Sequence, residues 1–342
     1  MLSCYRGIEK MFYDDITLIT TVTPGRKFDQ TLHRSIQYHS QFMRILVCGL
    51  AECNLDILVK DYSRATALLS DSDDCCDKLR ICLDSVETPY VIWVADDDFT
   101  GEDYIKKSIT VLNHYDQAVG TDGIGLYFKE GSAKLTTNLN YNIDSIEFFI
   151  SSYEKSLSPL KKFSERMLLQ VKRFSPAYAH GIMRTKIMKK VFHLPLMLRT
   201  DIPARWWDNI FVFLVLLHGS VLPIRKIAYI RSEGTRRLDL SYAPEIEKKF
   251  LVKDEELFNN FRGLLEMHGL NAPEDHAAAM TYFMQSSGAI FLEGFRIQQF
   301  SIEQASEYFQ RHLSINENDS NNINAILDLV KKFRLTAHEA QE

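Results

Sequence analysis

The first half of the chain switches repeatedly between two hydrophobic periods. Residues 16–22, Ile-Thr-Leu-Ile-Thr-Thr-Val, are β-branched and apolar, and Thr23-Pro24-Gly25 stops them. Residues 28–41 then carry Leu32 and Ile36 at helical spacing. A second strand is predicted over 44–48 and a third over 65–69. Residues 76–85 predict a helix with Leu79, Cys82, Leu83 and, just beyond, Val86 on one side. Residues 90–95 form a near-continuous apolar strand. Strands of that kind are buried on both faces, because helices cover the two sides of a parallel sheet. This alternation of strand and helix predicts an α/β layer with a mostly parallel sheet flanked by helices.

Farther along, 104–115 predicts a helix, 123–128 a strand and 145–153 another helix. Residues 155–173 are polar and basic, with Pro159 inside, and read as a partly helical excursion. Apolar character returns at 179–183, followed by a helix over 185–192, a buried helix over 208–217 and a late strand over 227–230. From about residue 243 the β-branched runs vanish, and 245–268, 273–299, 302–313 and 321–333 all predict helices. The chain therefore divides near residue 240, into 1–240 and an α-helical C-terminal region, 241–342. The stripes of that region, among them Ala279, Met280, Phe283, Met284, Ile290 and Phe291, suit a homo-oligomer contact, docking at a membrane or partner, or packing on the first region.

Composition narrows the function classes. Of 342 residues, 46% are hydrophobic and 25% charged, as in a globular protein with a real core. The net charge of −5 offers no general attraction to nucleic acid, which favours a small-molecule or glycan substrate. Cys4, Cys48, Cys53, Cys75, Cys76 and Cys82 form no Cys-x-x-Cys pair and no zinc spacing, so they read as reduced cytosolic thiols. The first residues hold no apolar core of a signal peptide. The longest apolar run, residues 210–217, is far short of the roughly 20 residues of a membrane span. The expectation is a cytoplasmic protein without a transmembrane segment, with peripheral attachment at the inner face of the membrane left open.

The candidate chemistry sits at the end of the fourth strand. Asp96, Asp97 and Asp98 follow Val91-Ile92-Trp93-Val94-Ala95 directly. Like charges that close repel unless a cation joins them, and Mg²⁺ or Mn²⁺ prefers carboxylate oxygens and bridges to phosphate. A solvated acidic turn or a helix cap before Thr100-Gly101-Glu102 is the alternative. In parallel sheets ligands bind beyond the carboxyl ends of strands, which brings Thr21, Thr23 and the acidic triplet together.

Residues 88–99 as a whole resemble the Asp-x-Asp strand of glycosyltransferase family 2-like proteins. Asp77-Lys78-Leu79-Arg80 resembles the basic helix start of that family, and residues 18–26 its first strand and nucleotide loop. The resemblance spans roughly residues 14–232. It implies a GT-A-like fold, with 1–240 as the nucleotide-sugar-binding catalytic domain. It implies Thr21 and Thr23 at the nucleotide, Lys78 or Arg80 toward base or phosphates, and Asp96 and Asp97 at the donor. Asp98, with Asp96, would ligate a divalent cation, Mn²⁺ or Mg²⁺. The family often carries an Asp-Asp-Gly-Ser turn after its second strand. Here residues 48–52 read Cys-Gly-Leu-Ala-Glu, and Asp71, Asp73 and Asp74 are either substitutes or a solvated loop.

The resemblance also places a catalytic acid group where Trp206-Trp207-Asp208-Asn209 opens an apolar helix. Asp208 reads both as general base and as helix cap, and Trp206 and Trp207 as sugar-stacking faces or as core. His180-Gly181 resembles the family's acceptor-side turn. Arg231 and Arg236, near Ser232-Glu233-Gly234, have the fork that matches phosphate geometry. The implied activity moves a sugar from a nucleotide-diphosphate donor, a UDP-sugar first, to a glycan or lipid-linked hydroxyl. It is metal-dependent and inverting, and it serves surface-glycan assembly. Two other readings stand beside it, a nucleotidyltransferase on a related sheet and a non-catalytic glycan-binding scaffold.

Overall fold

The computed structural model describes residues 13–22, 30–96, 98–130, 143–149, 159–173, 180–198, 204–232, 255–286 and 298–300. The first half follows the predicted alternation. β1 (Tyr13–Thr21), α1 (Gln30–His39), β2 (Met43–Gly49), α2 (Leu55–Val59), β3 (Ala65–Leu69), α3 (Cys75–Ser85), β4 (Tyr90–Trp93) and α4 (Glu102–His114) come in order. Then come β5 (Ala118–Glu130), β6 (Ile143–Phe149), α5 (Phe163–Arg173), β7 (Ile182–Arg184), α6 (Thr185–Phe192), α7 (Ala204–His218) and β8 (Ser220–Ser232). The last described elements are α8 (Glu255–Met267), α9 (Pro273–Ser286) and β9 (Gln298–Phe300).

The strands form one sheet in the order β3-β2-β1-β4-β7-β5-β6-β9. β1 pairs in parallel with β2 on one side and β4 on the other, and β2 pairs in parallel with β3. β7 runs antiparallel to both β4 and β5. β5 pairs with β7 at Gly120 and Thr121, with β6 from Gly125 onward, and with β8 in parallel from Ala118 to Phe128. The sheet is mostly parallel and flanked by helices, as the period switching predicts.

Alternate residues of the central strands enter two different cores. Ile19, Leu46, Cys48 and Val91 face a cluster completed by α3, α5, α6 and α7. Leu18, Ile45, Val47 and Ile92 face one completed by α1, α2 and α4. Both faces of the strands are dry, which is why β4 has no polar alternation.

Two expectations are corrected. Residues 145–153 were expected as a helix. Residues 145–149 lie instead in β6, which pairs antiparallel with β5 and β9, and 150–153 lie outside the described residues. Cross-strand partners distant in sequence outweigh a short local periodicity. The helix expected over 273–299 ends at Ser286, ahead of Ser287 and Gly288, and Gln298 and Gln299 lie in a strand. The helices expected over 302–313 and 321–333 lie outside the described residues.

The boundary near residue 240 falls in the undescribed stretch 233–254. Beyond it, Phe261, Leu264 and Leu265 of α8 and Ala278, Ala279 and Tyr282 of α9 join the same cluster as α7. Tyr282 donates its hydroxyl to the Asn209 carbonyl at 3.1 Å, and Asp275 accepts the Ser164 amide at 3.2 Å. Ala279 therefore packs inward, while Met280 is exposed. Among the described residues no helix is long and apolar enough to cross a membrane.

Candidate functional site

The strand order reverses direction around β1. The chain moves outward through β2 and β3, then returns to lay β4 on the other side of β1. Such a switch opens a crevice beyond the carboxyl ends of the two central strands. Thr21 ends β1, and Asp96 follows β4 by three residues.

Between them lies the start of α3. Cys75 holds its Sγ 3.6 Å from Thr21 Oγ1. The residue as a whole is exposed, yet loss of water around its sulfur raises the thiol pKa; Thr21 and Lys78 counter this, and the charges of Asp74 and Asp96 add to it. Thr21 and Asp96 are thus neighbours of one side chain.

Lys78 lies on the inward face of α3 with 2% of its side chain exposed. Its Nζ donates to the Val22 carbonyl at 3.0 Å and pairs with Asp73 Oδ1 at 2.8 Å. The lysine therefore staples the loop before α3 to the end of β1. Asp74 caps α3, accepting the amides of Cys76 and Asp77 at 2.8 and 3.1 Å. Ser70 Oγ donates to the Ser72 carbonyl at 2.8 Å. Asp73 and Asp74 thus build the loop itself. Arg80 is two residues on, and its guanidinium pairs with Asp77. Of the two basic candidates, only Lys78 reaches the end of β1.

The acidic strand end is a tight turn. The Val94 amide continues the ladder to the Ile19 carbonyl at 3.0 Å, and the Asp98 amide returns to the Ala95 carbonyl at 3.1 Å. Asp96 is half-buried and Asp98 is 0% exposed; Asp97 lies outside the described residues. Asp98 is thus enclosed by the turn, with both carboxylate oxygens buried, while Asp96 is the more open of the two.

The turn is held from both sides. Ser35 of α1 donates its hydroxyl to the Asp98 carbonyl at 3.3 Å, and His39 Nε2 accepts the Thr100 amide at 3.2 Å. On the other side Thr100 Oγ1 donates to the Ala228 carbonyl at 2.6 Å. A Cβ on Gly101 would sit 2.6 Å from the Ile227 carbonyl oxygen, so α4 begins in contact with β8 backbone. His39 was missed from the sequence. Its signal was a histidine four residues after Ser35, beside Leu32 and Ile36 on the inner face of α1.

His180 lies two residues before β7, not at the end of a strand. Because β7 runs antiparallel to β4, its start lies beside the end of β4. The imidazole is buried between two aromatic rings. It stacks on Trp93 at 5.3 Å between centroids and lies tilted against Tyr229 at 5.0 Å. Its Nδ1 lies 3.3 Å from the Trp93 carbonyl. His180 therefore belongs to the site as a spacer behind the half-buried Trp93.

Trp206, Trp207 and Asp208 lie in the first turns of α7, which begins at Ala204. Asp208 is the fifth residue of that helix, so its reading as an N-cap is corrected. The side chains of these three residues lie outside what is described. Arg231 sits in β8 opposite Tyr127, again without a described side chain. Thr23 and Arg236 lie outside the described residues.

Among the described residues no three His, Cys, Asp or Glu side chains are grouped to hold a metal ion. The acidic turn fits a cation taken through one or two carboxylates and completed by phosphate oxygens, the way Mg²⁺ is usually bound. It does not fit a closed protein cage.

No family model matches the chain, and no curated protein matches it. Solved structures do. Residues 1–349 of Staphylococcus aureus TarS align at 13% identity with a TM-score of 0.48, over 86% of this chain and 78% of that one. The same protein in complex with UDP-GlcNAc aligns at 12% identity with a TM-score of 0.46, over 87% and 76%. The 4-diphosphocytidyl-2C-methyl-D-erythritol synthase of Anaerococcus prevotii aligns at 10% identity with a TM-score of 0.34, over 64% and 88%.

Proposed function

We propose that the chain is a GT-A-type glycosyltransferase that binds a nucleotide-diphosphate sugar, a UDP-sugar first, together with Mn²⁺ or Mg²⁺. The observation that carries this reading is the placement of Thr21, which ends β1, and Asp96, just past β4, beyond the carboxyl ends of two adjacent parallel strands at the switch point. A crevice with a hydroxyl on one wall and an accessible carboxylate on the other suits a nucleotide whose diphosphate carries a cation. Asp98, with Asp96, would hold the cation through carboxylate oxygens, and the cation would supply neutralisation of charge on the departing diphosphate.

In this reading Asp208 takes the proton from the acceptor hydroxyl as it attacks the anomeric carbon, in an inverting displacement. Trp93, braced by His180, borders the region between donor and acceptor. The acceptor is a glycan or lipid-linked hydroxyl.

The test is a melting-temperature screen of nucleotide sugars with and without Mn²⁺, since a ligand that prefers the folded state raises its stability. A UDP-sugar should stabilise the protein more with Mn²⁺ than without it. Asp96→Asn should reduce the Mn²⁺-dependent part at least tenfold in affinity while leaving the unliganded melting temperature nearly unchanged. Turnover should release a nucleoside diphosphate. Release of pyrophosphate would mean a nucleotidyltransferase instead, and no response to any nucleotide would remove the reading altogether.

A further inference from the structure

Two side chains of α1 and the main chain of the acidic turn form a hydrogen-bonded unit that no step above uses. His39 is 0% exposed and Ser35 is 5% exposed, one helical turn apart on the inner face of α1. His39 Nε2 lies 3.2 Å from the Thr100 amide nitrogen. A backbone amide only donates, so Nε2 accepts and carries no proton. The ring proton is therefore on Nδ1, where it meets the Ser35 carbonyl at 2.7 Å. Both ring nitrogens of a neutral imidazole are used, each in the one role open to it. The Ser35 hydroxyl adds a bond to the Asp98 carbonyl at 3.3 Å. The imidazole also lies nearly parallel to Phe99, at 6.0 Å and 21°.

Three of these contacts go to residues 98–100, at the end of the acidic turn: Ser35 to the Asp98 carbonyl, His39 Nε2 to the Thr100 amide, and the imidazole face to Phe99. A packing residue would need none of them, and a buried polar ring is costly unless each nitrogen is matched. A leucine at position 39 would fill much the same space and leave the Thr100 amide buried and unmatched.

We propose that His39, with Ser35, is a positioning residue for the donor site. It sets the path of the chain through 98–100 and so fixes where Asp96 and Asp98 present their oxygens. The consequence for binding rests on the nucleotide-sugar reading above; the clamp itself does not. Oxygens that share a cation with a diphosphate need placement to within about 0.5 Å, and the α1 contacts add a second anchor to the one that Thr100 makes with the Ala228 carbonyl on the other side.

The experiment compares wild type, His39→Ala, His39→Gln and Ser35→Ala by amide hydrogen exchange and by titration with UDP and Mn²⁺. Glutamine keeps a neutral acceptor and a donor on one planar group, so it is the conservative replacement. In His39→Ala, exchange at residues 98–100 should rise at least tenfold more than in β1 or β4, and UDP–Mn²⁺ affinity should fall at least fivefold. His39→Gln should return both most of the way. Ser35→Ala, the milder change, should loosen 98–100 measurably with the helix intact.

Uniform acceleration of exchange across the sheet would show that His39 only stabilises the fold. Local loosening with unchanged UDP–Mn²⁺ affinity would overturn the positioning role. Failure of His39→Gln to rescue either readout would do the same. If wild type binds no nucleotide at all, the donor-site reading fails, and the exchange at 98–100 still decides whether the clamp exists.

Discussion

At the scale of single residues, the accessible and the enclosed charges divide the work. Asp96 stands at the crevice, while Asp98 and Lys78 are closed into the structure. Lys78 shows why a positive charge in a matching motif is weak evidence of contact with phosphate. Its Nζ is buried and already gives two of its three N–H donors to Asp73 and to the Val22 carbonyl, inside the protein. Asp208 is the reverse case. The helix begins four residues before it, so replacing it does not remove a cap. Asp208→Asn keeps the size of the side chain and leaves the start of the helix untouched, so the melting temperature should stay close to that of wild type. Binding of the nucleotide sugar should survive, and transfer to an acceptor should fall by roughly 10²–10⁴, the usual worth of a general base. Near-normal transfer with an unaltered pH–rate profile would leave Asp208 without a role in the reaction.

At the scale of elements, β5 and β8 back the rings behind the end of β4. Gly125 and Tyr229 are register partners on these parallel strands. A Cβ on Gly125 would lie 2.4 Å from the Tyr229 ring, well inside contact distance. The missing side chain makes room for the ring, and the ring in turn meets His180, which meets Trp93. Gly125→Ala should cost about 1–3 kcal/mol, the range for overpacking. Pairing it with Tyr229→Leu should recover part of that loss in a double-mutant cycle. Equal and additive losses in chemical denaturation would show that the two positions do not press on each other. This chain of contacts was not legible in the sequence, because it links residues 93, 125, 180 and 229. What was legible was local: the β-α alternation through residue 115, and the acidic triplet after a wholly apolar strand. β6 was misread for the same physical reason, since its identity depends on β5 and β9 and not on its own seven residues.

At the scale of the whole molecule, the two cores hold histidines that folding keeps neutral. Burial pulls His39 down from 6.5 to about 4, although its bond to the Ser35 carbonyl acts the other way. His218, at the end of α7, is lowered to about 4, first by burial and then by His268, Lys190 and Arg166. These come from α6, α5 and the residue after α8, so acid adds charge where three helices converge. Both folded-state values lie below the unfolded one, so between pH 6.5 and 4 the unfolded chain binds more protons. Stability is then full above about pH 6.5 and declines as the pH falls toward 4. For His39 alone, a shift of that size removes roughly 2 kcal/mol between pH 7 and pH 5, at about 1.4 kcal/mol per unit. His218 is more open to solvent and should contribute less. Urea denaturation at the two pH values should show the decline in wild type and a shallower one in His39→Gln, whose side chain does not titrate. Exchange around α1 and the 98–100 turn, where His39 must take up its proton, should accelerate as the pH falls toward 5 before exchange in β2 and β4. Equal pH slopes for wild type and His39→Gln would mean that carboxylates, and not the buried imidazole, set the acid limit of the fold.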